Sequence, residues 1–371
     1  MSEFRRRLMI GVGGAEPVSP VFYPYLVFDG AAYIDTDIYP QENSSYVIPA
    51  QYETLNAAQR LFMVDSSNAG VIGTLLNSST NATNRQLSYY YNSGSSISTR
   101  AVAQNIPGYS LFMTPNGEGV GTAYANYTKG NTHPNGHLII GSNNGHDGQP
   151  YTGVLSSFRI YGSDAQNVQT NADFNNYTPY VQLRPCKYGE QSGYWNVEEN
   201  KFYGNTAGAG TLVAADRLAV NPSSYDNTDY SYYSLSNASN AYSERTSSTY
   251  ATINLTRGAN AVTYIYFKFD TSSIPADAKI VRVLCYAKAA VPTTGQVTTR
   301  TMRVYSGTTP KGTAVTVGSS ATIYKLTTEA WTRQEAEDIR IKIYAIRGTS
   351  NTTDSRTFRF YGAGLYVFYT L

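Results

Sequence analysis

Short runs that alternate apolar and polar residues, closed off every eight to twelve positions by glycine, asparagine or proline, recur through the whole chain. Phe158 and Ile160 alternate with Arg159 and Tyr161. Ile265, Phe267 and Phe269 alternate with Tyr264, Tyr266 and Lys268, and Val281, Val283, Cys285 and Ala287 alternate with Arg282, Leu284, Tyr286 and Lys288. A period of two places one set of side chains on each face of a β-strand, so each run predicts a strand with one buried side. Composition agrees. Charged residues are 15% of the chain, and polarity comes from Ser, Thr, Asn and 34 Tyr. Tyr, Thr, Val and Ile suit pleated, half-buried surfaces, while Asn, Gly and Ser make turns. The expected class is all-β: two β-sandwich (jelly-roll-like) domains in tandem behind a short N-terminal arm.

The chain divides accordingly. Residues 1–20 read as an arm and linker, basic, then apolar, then rich in Gly, Pro and Ser. Residues 21–215 carry candidate strands at Ala32–Ile34, Ser45–Tyr52, Arg60–Val64, Val71–Leu76, Arg85–Tyr91, Ser110–Thr114, His137–Ile140 and Val154–Tyr161. Turn signals stand between them at Pro40, Asn68–Gly70, Asn92–Gly94, Asn116–Gly117 and Asn143–Gly145. One helical turn is expected near Asp164–Phe174. A hairpin follows, Tyr194–Val197 against Lys201–Tyr203 across Glu198–Asn200. Residues 216–248 form a Tyr/Ser/Asn-rich connecting segment, whose tyrosines argue that part of it packs. Residues 249–371 are the second sandwich. Within it Thr328–Asp338 is the one credible helix, with Thr327 or Thr328 as its cap.

Three stretches carry a resemblance: Phe28-Asp-Gly-Ala-Ala-Tyr-Ile-Asp-Thr36, Gly153-Val-Leu-Ser-Ser-Phe-Arg-Ile-Tyr161 with Leu183-Arg-Pro-Cys-Lys-Tyr188, and Gly193-Tyr-Trp-Asn-Val-Glu-Glu-Asn-Lys-Phe-Tyr-Gly-Asn-Thr206 running on to Gly210-Thr211. Together they resemble the concanavalin-like, LamG-type jelly roll of phage and gut-bacterial surface proteins, with Asn196 where that family usually has Asp. Ile265–Phe269, Ser273–Val281, Trp331–Glu335 and Ile339–Ile341 resemble a β-sandwich module of phage tail and fibre proteins. The opening Glu3–Met9 resembles the starts of virion-associated proteins of gut phages. The resemblance implies a bacteriophage virion structural protein at the virion surface, made in the host cytoplasm. Its role would be a head fibre, a capsid decoration or a tail-fibre-like adhesion protein, in a homo-oligomer that is a trimer by analogy with phage fibres. Its partners would be other virion proteins of the capsid or tail. In the arm, Phe4, Leu8, Met9 and Ile10 would insert into such a partner while Arg5, Arg6 and Arg7 pair with its carboxylates.

Bulk properties limit other functions. A formal net charge of +2 offers no field to recruit nucleic acid or an anionic membrane. No apolar run approaches the roughly 20 residues of a membrane helix, and Leu8–Ile10 is too short for a secretory leader. Cys186 and Cys285, one per sandwich, read as two buried thiols, with an interdomain disulfide as the alternative.

Chemistry is sparse in the sequence. Glycoside hydrolysis needs two carboxylates about 5–10 Å apart across one cleft. The E-x-D-x-x-E strand of the family's hydrolases is missing, Glu198 and Glu199 would point to opposite faces, and Glu118 stands alone in a glycine-rich turn. No enzyme is expected. His133, His137 and His146 are close in sequence, but Pro134 and Gly136 disfavour the helix that would align them, so no metal and no cofactor is expected. Calcium through Asp65, Asn144 and Asp147 lacks diagnostic spacing. A sugar site would use Tyr89, Tyr90 and Tyr91 with Asn143, Asn144 and Asp147, aromatic faces for the ring and amides or carboxylates for hydroxyls; the plainer reading is that these tyrosines cover a sheet edge or a subunit interface. Two alternatives to the structural role therefore stay open, a dedicated lectin or adhesin and a glycan hydrolase on a concanavalin-like fold.

Overall fold

The computed structural model describes residues 19–52, 58–64, 71–76, 84–103, 109–120, 122–142, 150–226, 233–244, 247–255, 261–292, 297–326, 330–347 and 356–371. Strands and turns account for nearly all of them, with 3-10 turns as the only helical elements described. The chain is all-β, as the alternation requires.

The first sandwich closes a six-stranded sheet over a second sheet. The six strands run in the order Ile34–Asp35, Leu138–Ile140, Gln59–Val64, Ile72–Leu76, Asn84–Tyr91 and Ser98–Ala103. Opposite lie, among others, Tyr25–Asp29, Ser45–Tyr52, Thr152–Leu155, Phe158–Tyr161, Val181–Tyr188 and Gln191–Asn196. Between them sits one apolar core in which Phe62 stacks on Tyr46 at 5.3 Å and meets Phe158 edge-on at 5.1 Å. The stretch Val154–Tyr161, expected as one strand, is two. Ser156 interrupts it by donating its N–H to Pro49 O (3.1 Å) and its hydroxyl to Pro24 O (3.0 Å).

In the second sandwich a five-stranded sheet, in the order Pro222–Asp226, Ala261–Phe269, Ile339–Arg347, Val297–Ser306 and Thr309–Thr316, covers a sheet built on the long strands Lys279–Ala290 and Arg356–Thr370. Phe267 and Phe360 stack across this core at 4.5 Å. Arg356–Thr370 changes partner along its length, pairing with Ala251–Leu255 through Arg356–Phe360 and with Asp216–Val220 through Leu365–Tyr369. Gly362 sits at the changeover with φ +129°. A Cβ there would come within 2.1 Å of Ser243 O.

Two expectations in this half are corrected. The expected helix Thr328–Asp338 is not formed over its described part, 330–338, where only Glu335–Glu337 makes a 3-10 turn; Thr327 and Thr328 lie outside the described residues. Thr332 and Glu335 close that turn reciprocally, the Glu335 N–H donating to Thr332 Oγ1 (3.2 Å) and the Thr332 N–H to Glu335 Oε2 (2.8 Å). This is a capping box with no helix to follow. Asp338 leaves helical space at φ −137° to receive Arg340, and Ile339 starts a strand at once. Val281 does not share the face of Val283. A bulge between Ile280 and Arg282 shifts the register, so Ile280 enters the core and Val281 points the other way.

The two sandwiches share a strand. Leu212–Val220 pairs through Leu212–Ala215 with Tyr25–Phe28 of the first and through Asp216–Val220 with Leu365–Tyr369 of the second. A separate buried cluster joins Val27, Val154 and Ala215 to Leu284, Tyr286 and Phe368, and Arg282 Nη1 donates to Phe28 O at 3.2 Å. The tract 216–248, read as a connector, thus supplies strands Pro222–Asp226 and Tyr233–Ser236 to the second sandwich as well as half of the shared one. Cys186 and Cys285 are free thiols, both buried, and burial pushes Cys186 up to about 12.

Asp29 ties down the start of the shared strand. Its carboxylate accepts the N–H groups of Ala31 (2.9 Å) and Ala32 (3.2 Å) and both the N–H and hydroxyl of Thr211. Partial burial pushes its pKa up, but the bonds from Ala31, Thr211 and Ala32 outweigh this and hold it below the usual range. Replacing Asp29 by Ala should cost about 0.5–1.5 kcal/mol, the net worth of a typical hydrogen bond, because the freed donors at this exposed site can turn to water. A group with a lowered folded pKa stabilises above its unfolded pKa of about 4 and loses that effect as pH falls through the folded value. Urea unfolding of the wild type and Asp29→Asn should therefore differ most at neutral pH and converge in strong acid.

Candidate functional site

An open, shallow depression of about 480 Å³ lies at the edge of the first sandwich, lined by Asp35, Thr36, Asp37, Tyr39, His137, Lys201, Tyr203 and Thr206. It is built by a segment that keeps strand alternation after its ladder ends. Ile34, Thr36 and Ile38 point inward and are buried, so Asp35, Asp37 and Tyr39 share the outward side. Thr36 holds the segment in place by donating its hydroxyl to Leu138 O (2.7 Å) while its N–H donates to the same oxygen (3.1 Å). From the other side the Asp35 N–H donates to Thr206 Oγ1 at 3.0 Å, and the Thr206 N–H to Tyr33 O at 2.9 Å.

The acidic groups are engaged. Asp35 pairs with His137, whose ring meets Tyr39 edge-on at 5.8 Å. Asp37 accepts both the Lys201 ammonium and the Tyr203 hydroxyl. Those bonds, Lys201 first and Tyr203 second, hold the Asp37 carboxyl below its ordinary range. Burial and the bond to Asp37 push the Tyr203 phenol well above its own. Tyr39 is 64% exposed, so its ring stands free beside two carboxylates, an imidazole and an ammonium. An accessible aromatic face flanked by hydrogen-bonding groups suits a sugar or another small polar ring.

The residues expected from sequence fall elsewhere. Tyr89 and Tyr91 are fully buried in the first core, with Tyr91 donating to Ser44 O at 2.6 Å, so neither ring offers a face to a ligand. Tyr90 points to the opposite side and carries the Arg60 guanidinium 5.0 Å above its ring. Asn143, Asn144, Asp147, Asp65 and His146 lie outside the described residues, as do Phe4, Arg5, Arg6, Arg7, Leu8, Met9 and Ile10. His133 lies 3.2 Å from Pro40 O, apart from the pair formed by His137. Glu118 is not in an open turn: it is buried in the strand Gly117–Val120, where the Ser98 hydroxyl donates to it at 3.2 Å. Among the described residues no three His, Cys, Asp or Glu side chains group to hold a metal ion. The signal for the depression was present as Asp35-x-Asp37-x-Tyr39 and Lys201-x-Tyr203, each set sharing one face of an extended segment.

Comparisons with known proteins add little. No protein family and no curated protein matches the sequence. Among solved structures, domains LG4-5 of the mouse laminin alpha1 chain align over 95% of this chain and 84% of theirs at 9% identity, with a TM-score of 0.27. Structures of infectious bursal disease virus, Gt and Gx strains, align over 98% of this chain and 77% and 76% of theirs at 10% identity, with TM-scores of 0.21 and 0.22.

Replacing Lys201 by Met should raise the Asp37 titration midpoint toward the ordinary carboxylate value near 4. Carbon-detected NMR of the side-chain carboxyls reads this directly, and an unmoved midpoint would mean that Lys201 does not engage Asp37 in solution.

Proposed function

We propose that this chain is a structural protein of a bacteriophage virion, serving as a head fibre, a capsid decoration or a tail-fibre-like adhesion protein. It docks by residues 1–14 to a capsid or tail protein and displays its sandwiches at the virion surface, in a homo-oligomer that resemblance to phage fibres makes a trimer. The observation that carries this reading is the shared strand Leu212–Val220, which fuses two β-sandwiches by backbone pairing instead of a loose linker. A display module needs such coupling, so that load at one end reaches the other without unfolding a hinge. The motif likeness at both ends of the first sandwich supports the same reading, and Asp29 and Thr211 of that motif touch each other. The role is non-enzymatic and needs no cofactor, membrane or nucleic acid.

Weak contacts with host-surface glycans, multiplied by avidity in an oligomer, complete the proposal. Their seat is the Tyr39 depression, and a dedicated lectin would use the same residues. On an array of uncharged glycans, Tyr39→Ala should abolish any binding that the wild type shows, while Tyr90→Ala leaves it intact; the reverse pattern would return the site to the Tyr89–Tyr91 strand. Turnover of any polysaccharide would revive the hydrolase.

Deleting residues 1–14 should abolish incorporation into phage particles while leaving the thermal unfolding of the sandwiches unchanged. Incorporation at wild-type levels would remove the docking role of the arm.

A further inference from the structure

The outer face of the five-stranded sheet in the second sandwich carries a pattern that the reading above does not use. Ladder pairing puts Tyr266, Lys342 and Arg303 in one row across three neighbouring strands and Lys268, Arg340 and Tyr305 in the next. The residues between them in sequence, such as Phe267, Ile341, Ile343, Met302 and Val304, are buried in the core, so both rows face away from it.

Each row sets two cations directly opposite one another, a pairing that destabilises a sheet unless anions compensate. The second row is compensated. Lys268 lies 3.1 Å from the Asp226 carboxylate, and Arg340 is held by Asp338 (Nε to Oδ1 2.6 Å) and reaches Asp226 at 3.7 Å. The first row is not. Among the described residues neither Lys342 nor Arg303 has a carboxylate within 4.0 Å.

Lys342 rests instead on tyrosine. Its ammonium lies 4.1 Å from the ring centroid of Tyr264, 5.4 Å from Tyr305, 5.6 Å from Tyr266 and 5.7 Å from Tyr344. The ring faces attract the cation but carry no counter-charge. Burial pushes the Lys342 pKa down, so the rings only partly replace its lost water. The result is one cation ringed by phenols, each with an apolar face and a hydroxyl tip, with a second cation, Arg303, opposite it on the neighbouring strand.

We propose that this face binds a carboxylated polysaccharide, with its acid groups at Lys342 and Arg303 and its sugar rings along the four tyrosines. Charge complementarity selects an anion, since neither cation has one among the described residues. The tyrosines select a sugar over an acidic peptide, because side-chain carboxylates would need the cations alone, whereas sugar rings also use apolar faces and hydroxyl donors. This inference stands apart from the virion role and from the Tyr39 depression, and its test separates them.

Full-length protein is titrated at low ionic strength with polygalacturonate and with the fully methyl-esterified polymer, which keeps the rings and removes the charge. Polygalacturonate should bind, and should weaken as salt rises; the ester should not bind. The double variant Lys342→Gln, Arg303→Gln should bind at least about ten-fold more weakly, a loss of ~1.4 kcal/mol. Its thermal midpoint should not fall, because two facing like charges are removed. Lys342→Arg, which keeps the charge, should retain binding, and so should Tyr39→Ala. The proposal is overturned by an absence of wild-type binding, by equal binding of the ester, or by a double variant that binds like the wild type. Poly-L-glutamate binding as tightly as polygalacturonate would overturn it too, and would assign the face to an acidic protein.

Discussion

Backbone pairing along Leu212–Val220 is the constraint on which the rest of the molecule depends. Its first four residues complete the hydrogen bonds of one sheet and its last five those of another. An unpaired buried peptide group is costly, so neither half can tilt away without breaking its ladder. Side-chain alternation then does the rest. Leu212 and Ala214 enter the first core, Leu218 packs on the second, and Ala215 joins the cluster common to both halves. A single strand thereby sets the register of two sandwiches at once.

Polar clamps hold the ends of that arrangement. Asp29 gathers four donors from two segments about 180 residues apart in sequence. Gly210, at φ +71°, makes this closure feasible, because a Cβ there would approach Ala32 N to 2.6 Å. The same economy appears in the depression, where Thr36 serves Leu138 while its neighbours Asp35 and Asp37 turn outward. Several outward carboxylates meet a histidine, a lysine or an arginine, as Asp35, Asp37 and Asp338 do, and among the described residues the pair Lys342 and Arg303 has no such partner.

Tyrosine is the residue that misleads in this chain. The Tyr89–Tyr91 run resembles an aromatic platform, yet alternation on a two-sheet core buries its first and third rings and leaves only Tyr90 outside. Tyr39, beside a proline and outside any ladder, attracts no notice in sequence and is the exposed ring of the depression. Burial of a tyrosine depends on which face of which sheet it occupies, and that is a property of register, not of the residue. The Val281 bulge makes the same point for an aliphatic side chain, since one unpaired residue moved it from the expected face to the other.

The sequence by itself determined the class of the fold, most strand positions and the inward set on each strand, because period-two alternation and turn residues act locally and need no partner to be read. It also held the motif residues of the first sandwich, from Asp29 to Thr211. Tertiary structure alone decided that the start of a presumed linker, Asp216–Val220, belongs to the shared strand, that Thr332 and Glu335 close a single turn and not a helix, and that Asp35, Asp37, Tyr39, His137, Lys201 and Tyr203 converge. Each of these depends on pairing between segments far apart in the chain, and local propensity carries no information about which distant strand a segment will meet.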